Sequence, residues 1–275
     1  HVGAHKIPLD ELATNPGALH NTNFKKQIRK EMLAGKRPDE CDYCWRIEDN
    51  TNNFSDRITK SSEQWSTIDK DKIIASTGDE NVYPRYAEIS FSNVCNFKCS
   101  YCGPAFSSKW TEEIKTNGPY KLKNNHYNSI KDTEVPILER EENPYIEAFW
   151  KWFPEAVKHM QVFRITGGEP LLSKHTNRVI QYLINNPQPD LEFAINSNAC
   201  PPDGIWKNFV NSIKKLEASG SIKLFSLFTS AESVNEQAEY SRDGMAWDVF
   251  NKNIKYFLEN TNDINICFMS AFNIF

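Results

Sequence analysis

The sequence predicts an α/β fold: a partial, TIM-like (β/α) barrel preceded by a small cysteine-containing module. Three observations carry this expectation. From Tyr86 onward, five strand-like runs alternate with five helix-length stretches, the order of βα units around a parallel sheet. The segments richest in glycine, cysteine and short polar residues fall directly after those runs, where barrels gather their functional groups. Residues 1–75 show no such alternation. A complete (β/α)8 barrel takes about 250 residues, more than follow Tyr86, so the visible units make only part of one. An open doubly wound sheet satisfies the same order of elements.

Taken in order, the N-terminal region carries a short basic helix with Lys25, Lys26, Arg29 and Lys30, whose charges read as a solvated face. Phe24, Ile28 and Leu33 supply its apolar side, and Gly35 its stop. The first strand is Tyr86 to Ser92, with Ala87, Ile89 and Phe91 on one face and Glu88 and Ser90 on the other. The next four are Gln161 to Thr166, Leu191 to Asn196, Ile222 to Thr229 and Ile264 to Phe272. Helices are expected at Phe106 to Thr116, Pro144 to His159, Lys174 to Asn185, Ile205 to Ala218 and Trp247 to Asn260. The last places Trp247, Phe250, Ile254, Phe257 and Leu258 on one side. Asn117 to Asn143, rich in Asn, Lys and Glu, reads as a solvated loop, either a lid or a plain surface excursion. These runs divide the chain into a small module at 1–75 and a core at 84–275. Both ends read as cut, since the chain opens on His1 and closes inside an apolar run ending at Phe275; this predicts a fragment.

The chain of 275 residues has a net charge of -4 and a pI near 5.9, which offers no electrostatic case for a nucleic-acid partner or an anionic membrane. No apolar run reaches membrane-spanning length and no signal-peptide pattern opens the sequence. Seven cysteines, clustered and odd in number, make a poor disulfide framework and fit a reducing cytoplasm.

Three of those cysteines lie just past the first strand, in Ser92-Asn93-Val94-Cys95-Asn96-Phe97-Lys98-Cys99-Ser100-Tyr101-Cys102. The C-x3-C-x2-C spacing brings three thiolates close enough to grip three irons of a cubane [4Fe-4S] cluster. Clusters that only carry electrons normally take four cysteines, and a site one ligand short keeps a position open for substrate or cofactor, as catalytic zinc sites do. A zinc knuckle or buried structural thiols is the competing reading.

The triplet, with aromatic Tyr101 directly before its last cysteine, resembles the signature of the radical S-adenosylmethionine (radical SAM) enzymes. The resemblance implies that Cys95, Cys99 and Cys102 hold a [4Fe-4S] cluster, that S-adenosylmethionine chelates the fourth iron, and that Tyr101 lies near its adenine. One electron then cleaves a carbon–sulfur bond to yield a 5′-deoxyadenosyl radical, which takes hydrogen from a substrate. It also implies a six-stranded partial (β/α)6 barrel, truncated here after the fifth strand, and an electron donor such as flavodoxin or ferredoxin.

Later motifs extend the likeness. Arg164-Ile165-Thr166-Gly167-Gly168-Glu169-Pro170 ends the second strand; two glycines permit close backbone approach, and Pro stops the strand. In the family the matching GGEP binds the amino group of S-adenosylmethionine, which implies that role for Gly167, Gly168 and Glu169. Asn196-Ser197-Asn198 ends the third strand, and the resemblance assigns Ser197 to ribose; an Asx-turn leading into Pro201-Pro202 is the alternative. Thr229-Ser230-Ala231-Glu232-Ser233 departs from the family's Ser-Ile-Asp, leaving the acid in place but lengthened. Glu239-Tyr240-Ser241-Arg242-Asp243-Gly244 resembles the segment whose arginine pairs with the cofactor's carboxylate, a task suited to a guanidinium; a surface arginine capping a helix is the plainer reading of Arg242.

Cys41-Asp42-Tyr43-Cys44 forms a second short-spaced pair. With Leu33-Ala34-Gly35-Lys36-Arg37-Pro38 before it, and Glu48 and Ser55-Asp56-Arg57 after it, the pair resembles the auxiliary-cluster region of twitch and SPASM radical SAM proteins. That implies a second iron–sulfur cluster held in part by Cys41 and Cys44, and an oxidoreductase or maturase acting on a peptide, a protein or another small molecule. Zinc held by this pair and two of the triplet, in a non-catalytic module, is the alternative. Cys200 and Cys267, being isolated, read as packed thiols.

Overall fold

The computed structural model describes residues 6–121 and 142–272. Most of the insertion expected at Asn117 to Asn143 lies outside them. Along the chain run helices α1 (Leu9–Thr14), α2 (Asn23–Leu33), α3 (Asp42–Asn50), α4 (Asp56–Ser61), α5 (Gln64–Thr67) and α6 (Lys70–Ile74). There follow β1 (Tyr86–Ser90), β2 (Lys98–Cys99), α7 (Ser108–Asn117), α8 (Pro144–Ala156), β3 (Val162–Thr166), α9 (Lys174–Asn185) and β4 (Gln188–Asn196). The chain continues through α10 (Asp203–Ala218), β5 (Ile222–Ser230), α11 (Asn235–Ser241), β6 (Arg242–Asp243), α12 (Trp247–Asn260) and β7 (Ile264–Met269).

Two compact units divide these elements, one of His1–Tyr86 with Asn143–Gln161, the other of Ala87–Glu142 with Val162–Phe275. In the first unit, Thr22 caps α2 by accepting from the Lys25 amide at 3.1 Å, and Gly35, at φ 75°, ends it in the left-handed conformation that glycine adopts without penalty. The basic face of α2 is not simply solvated. Lys25 donates to the Leu19 carbonyl, and Arg29 holds Asn21 and the His20 carbonyl. These bonds fasten the turn before the helix, so the charges serve as local staples. Leu12, Ala18 and Ala148 form a small buried cluster with Ile7, Leu19 and Tyr145 packed against it. Within α8, Phe149 stacks on Phe153 at 4.8 Å.

The second unit is built on a five-stranded parallel sheet of order β1-β3-β4-β5-β7, consistent with a partial TIM-like barrel; among the described residues it does not close. Register is continuous across the mouth, with Ile165 beside Ile195, Ile195 beside Leu227, and Ser230 beside Met269. Strand alternation sends Phe163, Ile165, Leu191, Phe193, Ile195, Phe225 and Leu227 to one face, where all are buried. There Phe193 and Phe225 approach to 5.6 Å, and Phe209 of α10 stacks on Phe257 of α12 at 5.8 Å. Each ring so buried contributes about 1.5–3 kcal/mol. The opposite, concave face carries Glu88, Arg164, Thr166, Asn196, Ser226, Phe228 and Ser230, none of them fully buried. An apolar convex face and a polar concave one are what a barrel with a working interior requires.

The expected strands and helices are all present with shifts at their ends; α9 and α12 match to the residue. Not anticipated were α1 and α3 to α6 in the N-terminal region, α11, and the two-residue antiparallel pair of β2 with β6.

Candidate functional site

The cysteine triplet occupies the loop from β1 to α7, and short-range and long-range bonds immobilise it. Ser107 accepts from the Trp110 amide to cap α7 while donating to the Phe97 carbonyl at 2.7 Å. Ser108 accepts from the Cys95 amide and donates back to the Cys95 carbonyl. The Cys95 sulfur itself accepts from the Phe97 amide at 3.4 Å, and Trp110 Nε1 donates to the Cys99 carbonyl at 2.8 Å. The longest-range anchor is the β2–β6 pair, which sets Cys99 opposite Arg242 and Lys98 opposite Asp243. Lys98 reinforces it with ion pairs to Asp243 at 3.0 Å and Glu113 at 2.9 Å.

At the C-terminal ends of the strands lies a cavity of about 180 Å³ whose wall includes Cys95, Cys99, Cys102, Gly167, Gly168 and Arg242. Tyr101 and Ser197 also line it. Residues read from four separate stretches of sequence are thus brought to one place. Glu169 lies behind this wall, and Cys41 and Cys44 belong to the first unit.

The two glycines are explained by chain packing. A Cβ on Gly167, whose φ is 125°, would meet Ser90 Oγ at 2.5 Å and the Ser92 carbonyl at 2.7 Å. One on Gly168 would collide with the Val94 carbonyl and come within 2.7 Å of Asn93. Their missing side chains let the β3 turn nest on the loop that carries the cysteines. Gly168 and Glu169 complete the contact by donating to the carbonyls of Ser92 and Val94 at 3.2 and 2.7 Å.

Glu169 is 1% exposed. Its carboxylate accepts from the Leu171 amide at 3.0 Å, Ser197 Oγ at 2.9 Å and the Asn198 amide at 2.7 Å. It therefore ties the end of β3 to the end of β4, and burial pushes its pKa up to about 7. Ser197 Oγ also accepts from the Ala199 amide, and Asn198 forms the Asx-turn by accepting from the Cys200 amide. Asn96, between two of the cysteines, links the same loops: it accepts from Asn198 Nδ2 and donates to the Cys200 carbonyl.

Arg242 is 4% exposed. It donates through Nη1 to the Tyr101 hydroxyl and lies 3.6 Å from Glu232 Oε1, to which Tyr101 in turn donates at 2.8 Å. Tyr101, Glu232 and Arg242 thus close a triangle beside Cys99, and burial, the Cys99 thiol and this carboxylate all act to keep the Tyr101 hydroxyl protonated. Among the described residues two buried atoms of the triangle have no partner: Arg242 Nε, a donor, and Glu232 Oε2, an acceptor. Buried polar atoms are normally satisfied, and one donor with one acceptor is the complement of a carboxylate and an ammonium on the same ligand.

Burial pushes the Cys95 thiol up to about 11 and raises Cys99 and Cys102 as well, with Arg242 working against the rise at all three. Buried thiols of this kind ionise only when a cation takes the proton's place. Three such thiols on one fixed loop, lining one cavity beside an orphaned donor and acceptor, are by their chemistry the donor set of an iron–sulfur cluster with an amino-acid-bearing ligand, although among the described residues no three Cys, His, Asp or Glu side chains already stand at metal-binding spacing.

In the first unit Cys41 precedes α3 and Cys44 lies in its first turn. The Trp45 ring beside them meets the guanidinium groups of Arg37 at 4.7 Å and Arg57 at 4.3 Å, and Glu48 gathers Ser55 and Arg57. Cys200 is half-buried, its thiol raised to about 11 by burial. Sequence reasoning missed Asn96 and left Glu232 without a role. Both owe their importance to partners more than 100 residues away, and only the position of Asn96 inside the triplet gave any signal.

A family model described as the radical SAM superfamily matches residues 89–271, a span that begins in β1 and ends just past β7. No curated protein matches the chain.

Proposed function

The chain belongs to the radical SAM superfamily, whose enzymes use a [4Fe-4S] cluster and S-adenosylmethionine, and from that premise we propose that Cys95, Cys99 and Cys102 are the cluster ligands. The observation that carries this is the fixing of all three, with Arg242, around a single cavity at the strand ends. When bound, the cluster and S-adenosylmethionine supply a 5′-deoxyadenosyl radical for hydrogen abstraction. The protein's part is to orient and shield them.

Arg242 receives the cofactor carboxylate through its unpartnered Nε, backed by Tyr101 and Glu232. Gly167 and Gly168 offer backbone carbonyls to the amine, and Glu169 acts as a positioning residue by setting Ser197 and Asn198 at the ribose side. Tyr101, half-exposed at the cavity edge, covers the adenine side. The N-terminal region, 1–75, is read as a twitch- or SPASM-like module in which Cys41 and Cys44 contribute to a second cluster, and 84–275 as the catalytic core. On that reading the enzyme is an oxidoreductase or maturase of a peptide or protein, reduced by a flavodoxin or ferredoxin in the cytoplasm. Among the described residues no helix is long and apolar enough to cross a membrane.

The test is anaerobic reconstitution with iron and sulfide, followed by dithionite and S-adenosylmethionine, assaying 5′-deoxyadenosine. The wild-type protein should form it, and Cys99→Ala should lose both cluster absorbance and at least about a hundredfold of the product. Retention of both by the variant sinks the assignment.

A further inference from the structure

Arg164 lies on the concave face of the sheet, three residues before Gly167. Its side chain is held by residues from three other strands. Nε donates to Asn196 Oδ1 of β4 at 2.7 Å, the guanidinium carbon sits 4.0 Å from the ring centroid of Phe228 on β5, and Nη2 reaches the Met269 sulfur of β7 at 3.6 Å. All three of these partners line the cavity that the cysteines share.

This holding leaves most of the guanidinium's donors unspent and its charge only loosely paired, with Glu88. A guanidinium has five N–H donors; one here meets an amide oxygen and one a thioether, a weak acceptor. Among the described residues Nη1 has no hydrogen-bond acceptor. The nearest carboxylate, Glu88 Oε2, is 3.9 Å away, beyond hydrogen-bond reach. Moreover, the Arg164 side chain is only 20% exposed. Drawing a cation this far from water without a bonded counter-ion costs free energy, while the stacking on Phe228 and the bond to Asn196 fix its orientation. A rigid planar fork with free donors is the geometry that takes a carboxylate in two parallel bonds.

We propose that Arg164, on the concave face behind the cavity wall that Asn196, Phe228 and Met269 form, is a specificity-determining residue that binds a carboxylate of the substrate, selecting acidic substrates. The proposal rests on the reading of this cavity as the radical SAM site and adds the chemical class of what enters it. The position favours substrate over cofactor. Arg164 stands about 7 Å below the strand end along β3, two residues before Thr166, whereas Arg242 stands beside Cys99 at the mouth. Glu88, which also accepts from Thr166 Oγ1, competes electrostatically with the incoming carboxylate.

Glutarate and its neutral diamide, glutaramide, are the probes, titrated by ligand-observed NMR into the reconstituted protein with S-adenosylmethionine bound. Wild-type protein should bind glutarate at least about tenfold more tightly than glutaramide, and Arg164→Gln should abolish that preference. Glu88→Gln keeps the guanidinium and removes its competitor, so it should tighten glutarate about threefold. This second variant decides the matter if Arg164→Gln does not fold. S-adenosylmethionine affinity should change less than about twofold in Arg164→Gln. An equal loss there gives the carboxylate to the cofactor and overturns the proposal, as does glutarate binding indifferent to both variants or absent from the wild type. Deoxyadenosine formation by the wild type is scored separately: its failure removes the radical reading, while charge-blind glutarate binding removes this one alone.

Discussion

Cys95, Cys99 and Cys102 lie on a loop bonded on every side, to α7 through Ser107 and Ser108, to the β3 turn through Gly168 and Glu169, and to β6 through a two-residue ladder. Cys41 and Cys44 share one turn at the start of α3, where the fastening comes from Trp45, Arg37, Arg57 and Glu48, all within a few turns of chain. In sequence the two motifs look alike, short-spaced cysteines beside aromatic residues. In space one is held by partners up to about 140 residues away and the other by its own neighbourhood. Short-spaced cysteines announce a metal; distant partners decide whether the site can also hold a second ligand in a fixed pose.

The units that carry these motifs also differ in how they meet acid, and this offers the sharpest test. In the first unit burial, with Arg29 and Lys25 alongside, pulls His20 down to about 4. Between that value and its ordinary one the folded unit binds fewer protons than the unfolded chain, so its stability falls as pH drops from about 6.5 to 4. In the second unit Glu169 is raised to about 7 by burial. Here the folded unit binds more protons, so stability is fully present below about 4.5 and is lost as pH climbs through 7, by up to about 3 kcal/mol. Burial lowers His175 in the same unit, which opposes the trend, so the comparison is with Glu169→Gln rather than with the raw slope. Hydrogen exchange on the apo protein should show α2 loosening toward pH 4 and β4 loosening toward pH 8, with His20→Gln flattening the first and Glu169→Gln the second. Parallel slopes in both units, unaltered by either variant, would refute this opposition.

A smaller effect is expected from Gly168→Ala. The added methyl runs into the Val94 carbonyl, which is backbone and cannot swing aside, so overpacking should cost about 1–3 kcal/mol. The loss should appear in thermal unfolding of the second unit and as weaker retention of iron on dilution. Unchanged stability and iron would mean the β3 turn and the cysteine loop are not packed as described.

The smallest effect belongs to the pair. Cys41→Ser with Cys44→Ser should leave 5′-deoxyadenosine formation within about twofold of wild type, since nothing at that turn lines the cavity. If the pair contributes to a second cluster, iron and sulfide per chain fall while the product does not. Collapse of deoxyadenosine formation would erase the distinction drawn between the two motifs.

Much of this is legible in the sequence. The alternation of strands and helices is a local periodicity, and it located every large element of the sheet unit. The triplet and the Gly-Gly-Glu-Pro turn were legible because their chemistry is written in adjacent residues. By contrast, the reading of Gly167 and Gly168 as openings toward a ligand was incomplete. Their absent side chains make room for residues Ser90 to Val94, and a window around 167 contains no sign of them. The basic face of α2 misled for the same reason: the partners of Arg29 are a side chain and a carbonyl in the preceding turn, and charge alone suggests solvent.

By itself the sequence determined what depends on neighbours in the chain: the βα order, the spacing of the cysteines, the strand-ending glycines and the family to which they point. Only the tertiary structure decided which groups face one another. Sheet register set Arg164 among Asn196, Phe228 and Met269. The β2–β6 ladder brought Arg242 to Cys99, and the burial of Glu169 made a lone carboxylate the clasp between two strand ends. Periodicity is a property of short segments, fixed by backbone geometry. Such pairings depend on loop closure and side-chain packing across 30 to 140 residues, which is why they emerge only once the chain has folded.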